Sequence, residues 1–359
     1  MLRKCPPDWD ITTPELKADW KKGEHGRFYP YGKTYSQVFQ EPESSAKVAI
    51  KRSNVRRRHL TSRIPKNASG KRENETAGLS GELLIGNDFL VARLGLGTMR
   101  LTGKGIWGEP ADRSEAIRVV RRAVELGVNF IDTADSYGPD VSEEIIAEAV
   151  YPYPEGVVVA TKGGFERPGP DQWIENGRPE HLKSACEGSL RRLRLDRIDL
   201  YQLHRIDPKV PMERQLGALK ELQAEGKIKH IGLSEVSVRQ LHDARTVVSI
   251  ASVQNRYSVT DRASEDVLEY CERHDIVFIP WFPLAAGQLA GADSPIRRVA
   301  AQKNLTPSQV ALAWLLARSP VVLPIPGTSK VAHVVENVAA ATVALTEDDI
   351  NTVNQILLN

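Results

Sequence analysis

From residue 81 onward the chain alternates short apolar, β-branched runs with segments of helical period, and the alternation repeats eight times. The runs fall at 93–97, 129–132, 157–161, 198–204, 230–233, 252–255, 277–280 and 321–325. Most are apolar along their whole length, as parallel strands must be when helices cover them. Between them Ile117, Val120 and Val124 share one helical face, following Asp112 and Glu115 at capping-box spacing. Leu216, Leu219 and Leu222 mark a second helix, and Thr306, Pro307 and Gln309 read as N-cap, first-turn proline and N3 partner of a third. Eight β-then-α units in about 280 residues predict a (β/α)8 TIM barrel, a fold of about 250 residues. A turn-bounded pair of short runs at 82–91 predicts an N-terminal β-hairpin placed to plug the barrel's bottom. The competing doubly wound sheet needs a glycine fingerprint after its first strand. Here Gly95-Leu96-Gly97-Thr98-Met99-Arg100 lacks the third glycine and leads into no helix.

The first eighty residues are a different kind of polypeptide. They hold 17 Lys/Arg and 9 Asp/Glu of the chain's 48 and 46, leaving 31 and 37 for the rest, so a formal charge of +2 conceals +8 followed by −6. Pro6, Pro7, Pro14, Pro30, Pro42 and Pro65 interrupt any period, and a basic run occupies 51–59. The expected division is a basic, poorly ordered extension over 1–80 and the barrel over 81–359. Clustered Lys/Arg would supply sequence-independent attraction to nucleic acid, but a solvated extension explains the run more simply, and nucleic acid is not the expected partner. A translation start placed too early is the further alternative, although the next methionine after Met1 is Met99. Gly26 and Gly32-Lys33-Thr34 imitate a phosphate loop with the wrong glycine spacing.

Three cysteines (Cys5, Cys186, Cys271) show no metal-ligand spacing, so no metal and inert thiols are expected. The opening residues lack the apolar core of a signal peptide, and no run approaches the roughly 20 residues of a spanning helix. The expected setting is the cytoplasm, with no membrane partner. Oligomeric state leaves no mark in the sequence.

In a barrel of this kind, polar residues at the C-terminal ends of strands converge on one site. That filter selects Asp132 with Tyr137 after the second strand, Lys162 at the end of the third and His204 at the end of the fourth. Each alone has a bland reading: a helix cap, a solvated lysine, a structural histidine. Four such residues on three successive strands form a pattern.

The same residues lie in motifs that resemble the aldo-keto reductases. RLGLGTM (93–99), GVNFIDTADSYG (127–138), SLRRLRLDRIDLYQLHRIDP (189–208), GKIKHIGLSEVS (226–237), VQNRYS (253–258) and IPGTSKVAHVVENV (325–338) carry the likeness over about residues 81–357. The resemblance implies reduction of a small-molecule aldehyde or ketone with NADPH, NADH being the alternative, through a tetrad of Asp132, Tyr137, Lys162 and His204. Hydride reaching a carbonyl leaves an alkoxide that needs a proton. A phenol, ordinarily of pKa about 10, is expected to become a better donor beside an ammonium.

The resemblance further implies that Ser234 and Gln254 hold the nicotinamide amide and that Trp281 stacks on its ring, with Pro283 and Leu284 alongside. Glu235 departs from the family's usual Asn. Gly327, Thr328, Ser329 and Lys330 would take the 2′-phosphate at a helix start, where unpaired N–H groups and the dipole face an anion. Glu336 and Asn337 would lie near the adenine. His333 replaces a common arginine, which implies a weaker preference for NADPH. Trp107 and Phe282, with Trp173, are candidates for shaping the substrate pocket, and the short C-terminus implies an open one. TGKGIWGEP, DSYGP and AVYPYP are similar to the pyridoxal reductase branch, which includes pyridoxine 4-dehydrogenases. The competing function is a cofactor-binding regulatory subunit on the same fold.

Overall fold

A computed structural model describes residues 20–22, 28–30, 77–284 and 294–357. Two compact units are present, divided after Pro65. In the first, β1 (Trp20–Lys22) pairs antiparallel with β2 (Phe28–Pro30); the remainder of the expected extension, up to residue 76, lies outside the described residues. In the second, a single turn at Ala77–Ser80 already belongs to the barrel unit: Ala77 is buried and its N–H bonds the Leu126 carbonyl at 3.1 Å.

The expected hairpin forms from β3 (Glu82–Ile85) and β4 (Phe89–Ala92). Seven parallel strands follow: β5 (Leu96–Gly97), β6 (Phe130–Asp132), β7 (Val158–Gly163), β10 (Ile198–Leu203), β11 (Ile228–Ser234), β12 (Ile250–Gln254) and β13 (Val277–Phe278), adjacent in that order. Another hairpin, β8 (Phe165–Glu166) with β9 (Ile174–Glu175), stands on the loop after β7. The eighth expected strand is not a regular one. Segment 321–327 accepts from Phe278 N–H at 2.9 Å and Gly95 N–H at 2.9 Å, and donates from Leu323 N–H to Phe278 O at 2.9 Å, so it closes the ring as an irregular stave. Pro324 and Pro326 explain this, because a proline has no N–H to give to a ladder. The close fit needs glycine on the facing stave: a Cβ on Gly97 would lie 2.6 Å from the Ile325 oxygen.

Helices α1 (Arg113–Glu125), α2 (Val141–Val150), α3 (Pro179–Leu193), α4 (Met212–Ala224), α5 (Val238–Arg245), α6 (Glu265–Arg273), α7 (Pro295–Lys303), α8 (Pro307–Arg318), α9 (Val331–Ala339) and α10 (Glu347–Asn354) lie between and after the staves. α8 begins with the expected capping box of Thr306 and Gln309. At α1 only half of the expected box forms. Asp112 accepts from the Glu115 N–H at 2.8 Å, but the Glu115 carboxylate reaches away to the Val331 N–H at 3.1 Å and so caps α9 instead. None of the described helices is long and apolar enough to cross a membrane.

Strand alternation divides the core. Ile131, Val159, Tyr201 and Leu203 face outward into the helices. Phe130, Val158, Ala160, Leu200, Val277, Ile279, Leu323 and Ile325 fill the barrel's lower interior together with Ile85 and Val91 of the hairpin. Burying each such side chain contributes roughly 1.5–3 kcal/mol. The plug is fastened by Asn129, just before β6. It accepts from Ala92 N–H at 2.8 Å and donates to Leu90 O at 3.1 Å and Gly156 O at 3.2 Å. Asn129→Ala is therefore expected to cost about 1–3 kcal/mol, since it strands partners at a half-buried joint. Urea unfolding against the wild type measures the loss.

Candidate active site

Because successive side chains of a strand alternate faces, the inward series that begins with Phe130, Val158 and Leu200 ends at the top with Asp132, Lys162 and then Gln202 and His204. The interior is thus dry below and polar above. The expected four residues meet there, and all are buried: Asp132 is 2% exposed, Tyr137 6%, Lys162 0% and His204 7%.

Lys162 uses all three donors of its ammonium. Nζ bonds Asp132 Oδ2 at 2.6 Å, the Thr133 carbonyl at 2.7 Å and Tyr137 Oη at 3.4 Å. Burial works against this charge, but Asp132 and then Tyr137 more than compensate, and the lysine is held above its ordinary value. Asp132 Oδ1 meanwhile accepts from Gln202 Nε2 at 3.0 Å and Gln254 Nε2 at 2.8 Å. One carboxylate and one ammonium thereby gather side chains from four strands.

Tyr137 departs from expectation in one respect. Burial pushes the phenol above its ordinary 10, and this outweighs the downward pull of Lys162. It therefore keeps its proton firmly at neutral pH. His204 moves the other way: burial first, then the charges of Lys162, Arg205 and Arg167, hold the imidazole well below 6.5, so it is neutral. Its Nδ1 lies 3.3 Å from Ser136 Oγ. Ring edges of Phe165 (4.8 Å between centroids) and Trp173 (6.2 Å) enclose it.

A cavity of about 440 Å³ opens above these groups and reaches Gly327. Of the residues expected at a cofactor, Ser234, Gln254, Trp281, Pro283, Leu284 and Gly327 line it, as does Phe282. Gln254 also supports Asp132, while no described donor reaches its Oε1. Glu235 accepts from Trp281 Nε1 at 2.5 Å and Arg256 N–H at 2.6 Å, so it fixes the indole. Glu235 and Phe282 both hold left-handed backbone, at φ 56° and 62°, the strained geometry that clusters at functional sites.

At the start of α9, Thr328 Oγ1 accepts from Lys330 N–H at 3.1 Å and lies 3.2 Å from His333 Nδ1. Ser329 and Lys330 are exposed. Asn337 is buried, and Glu336 accepts from Thr306 Oγ1 at 2.6 Å, an attachment to α8. Trp107 lies off the cavity, with the Arg167 guanidinium 5.7 Å from its ring, whereas Trp173 lines the cavity with its edge toward Tyr137. Gln202 and Arg205 escaped the sequence reading. Gln202 had a signal, being polar and two residues before His204 on the same strand face.

Cys186 and Cys271 are free and buried, and burial pushes the Cys186 thiol up to about 12, which leaves it inert.

Comparison with known proteins places the chain in a family. Residues 93–358 match the model of the Aldo/keto reductase family. An uncharacterised oxidoreductase of Schizosaccharomyces pombe is 49% identical over 272 residues, 76% of this chain and 88% of that protein. Pyridoxine 4-dehydrogenase of Escherichia coli is 43% identical over 272 residues, 74% and 95% of the two chains. Among solved structures, an aldo-keto reductase from Klebsiella pneumoniae in complex with NADPH superposes with a TM-score of 0.65 at 28% identity, covering 76% of this chain and 94% of the other. The chain belongs to the aldo/keto reductase family. It is an NAD(P)H-dependent oxidoreductase that reduces carbonyl groups, and the matches lend no support to a regulatory subunit.

Removing the ammonium alone would leave Asp132 charged and buried. Lys162→Met should cost about 3–5 kcal/mol of stability, read from urea midpoints at constant m-value.

Proposed function

We propose that the protein reduces aromatic aldehydes of the pyridoxal type to alcohols with NADPH, using Tyr137 as general acid, with Asp132, Lys162 and His204 in support. The observation that carries this reading is the contact of Lys162 Nζ with both Asp132 and Tyr137 beneath an aromatic cavity. The likeness to pyridoxine 4-dehydrogenase supports the substrate class.

The residues present fit the cofactor. One wall offers Ser234 Oγ, the free Gln254 Oε1 and the fixed Trp281 ring for a nicotinamide, and the cavity leads to Gly327 at the turn of Thr328, Ser329 and Lys330. Lys330 is exposed there and suited to a phosphate. When bound, NADPH supplies the hydride. The protein's part is to receive the resulting negative charge. The neutral His204 presents an N–H to the carbonyl oxygen, and Ser136, by giving its proton to Nδ1, leaves that N–H on Nε2. Tyr137 Oη passes its proton to the alkoxide as charge develops. Lys162 stabilises the phenolate that remains, and Asp132 keeps Lys162 charged throughout. Phe165 and Trp173 exclude water from the transfer.

Tyr137→Phe is expected to lower aldehyde reduction by about 10²–10⁴-fold, the usual worth of a general acid. Fluorescence titration should show NADPH affinity unchanged within about twofold; full turnover by this variant would refute the assignment.

The pH profile carries a second expectation. A raised tyrosine stays protonated up to its folded value, so reduction should hold through neutral pH and fall only above 10. A depressed histidine gains its proton only below its folded value, so no step is expected near 6.5. Stopped-flow single turnovers across this range provide the check, and a step near 6.5 would contradict a neutral His204.

A further inference from the structure

The mechanism leaves one half-buried cation beside the tetrad without employment. Arg205 follows His204 directly and lines the cavity with Tyr137, Phe165, Trp173 and Glu175. Of the five N–H donors of a guanidinium, Nη1 spends its pair on His204 O at 2.7 Å and Ser234 Oγ at 3.0 Å. Nε and Nη2 have no partner among the described residues, and no described carboxylate forms an ion pair with Arg205. Glu235 is held by Trp281 and Arg256. Glu175 is exposed on β9.

Of the other cations, Arg100 stands at the Gly327 end of the cavity, and the two nearest the tetrad are spent. Lys162 has three partners. Arg167 bonds the carbonyls of Gln172, Ser136 and Gly105 and stacks 3.6 Å from the Trp173 ring. Arg205 is also close enough for its charge to pull down the proton affinity of both Tyr137 and His204. The guanidinium lies 5.7 Å from the Phe165 ring centroid and is half withdrawn from water, with no described carboxylate bonded to it. Its open donors form one side of the fork that binds oxyanions bidentately.

We propose that Arg205 recognises an anionic oxygen on the substrate, and that the preferred substrates are aromatic aldehydes with an ionised hydroxyl ortho to the carbonyl. This rests on the aromatic-aldehyde reading above and extends it. Tyr137 and His204 take the carbonyl oxygen while the guanidinium takes the neighbouring oxyanion, so the ring is fixed at two points beside the contacting pair of Phe165 and Trp173. An ortho position is favoured because Arg205 lines the same cavity as Tyr137 and His204, with its Nη1 bonded to the His204 carbonyl at 2.7 Å.

The test compares 2-hydroxybenzaldehyde, 2-methoxybenzaldehyde and benzaldehyde as substrates of the full-length wild type, Arg205→Gln and Arg205→Lys, with NADPH affinity measured by fluorescence. The wild type should prefer 2-hydroxybenzaldehyde, increasingly so as pH rises through ionisation of its hydroxyl. Arg205→Gln should lose about 10–100-fold in kcat/KM on that aldehyde alone, with the pH-dependent preference abolished; Arg205→Lys should fall between. An equal loss on all three aldehydes, or a raised NADPH Kd with the substrate ratio unchanged, would overturn the proposal in favour of a cofactor or structural role. A wild type that is inert toward all three would instead sink the aromatic-aldehyde reading itself, and this inference with it.

Discussion

The buried pair of Lys162 and Asp132 is the constraint around which the upper barrel is built. An ammonium with no exposed surface survives only if each proton has an acceptor, and its counter-ion only if its other oxygen is satisfied. Thr133 O and Tyr137 Oη complete the first requirement; Gln202 and Gln254 complete the second. The pair and its partners come from β6, β7, β10, β12 and the loop after β6, so the pair ties together much of the ring it depends on. Such a cluster is a poor way to gain stability, since apolar groups of equal volume serve as well or better. Its use is to keep a charge beside a phenol. The dry lower interior, filled by Phe130, Val158, Leu200 and the hairpin's Ile85 and Val91, provides the burial that the polar layer does not.

The site's electrostatics follow from depth as much as from charge. Depth raises Tyr137, lowers His204 and leaves the thiols dead, because each shift opposes forming an ion away from water. The expectation that Lys162 alone would set the phenol's acidity counted the neighbour and omitted the desolvation. What results is a donor that releases its proton only to a base as strong as an alkoxide.

Much of the fold was legible because period and composition agree along the chain. Seven staves lie within the expected runs or overlap them, and the boxes at Thr306 and the apolar faces of the helices are as read. The eighth stave was legible as a position but not as a strand, since its prolines remove ladder donors. The half-formed box at Asp112 shows the same limit: local spacing cannot reveal that Glu115 is claimed by Val331 from the other end of the chain. At the site, strand ends exposed Asp132, Lys162 and His204 to a simple filter. Gln202 was hidden one step deeper on the same face. Arg205 was hidden because a charge after a strand ordinarily reads as solvated. Trp173 and Trp107 both lie against Arg167, and only the β8–β9 hairpin shows that the first lines the cavity and the second does not.

Arg93 joins the start of the barrel to its closing stave. Its guanidinium bonds the carbonyls of Leu316, Ser319 and Val322, the last across 229 residues of sequence. It caps the end of α8 and holds the first stave against the last. Contacts so remote are slow to form, because loop-closure entropy is spent before they reward it. The ring cannot close before residues 319–322 have been synthesised, so the seam that shuts the barrel above its dry interior is made by contacts of very long range.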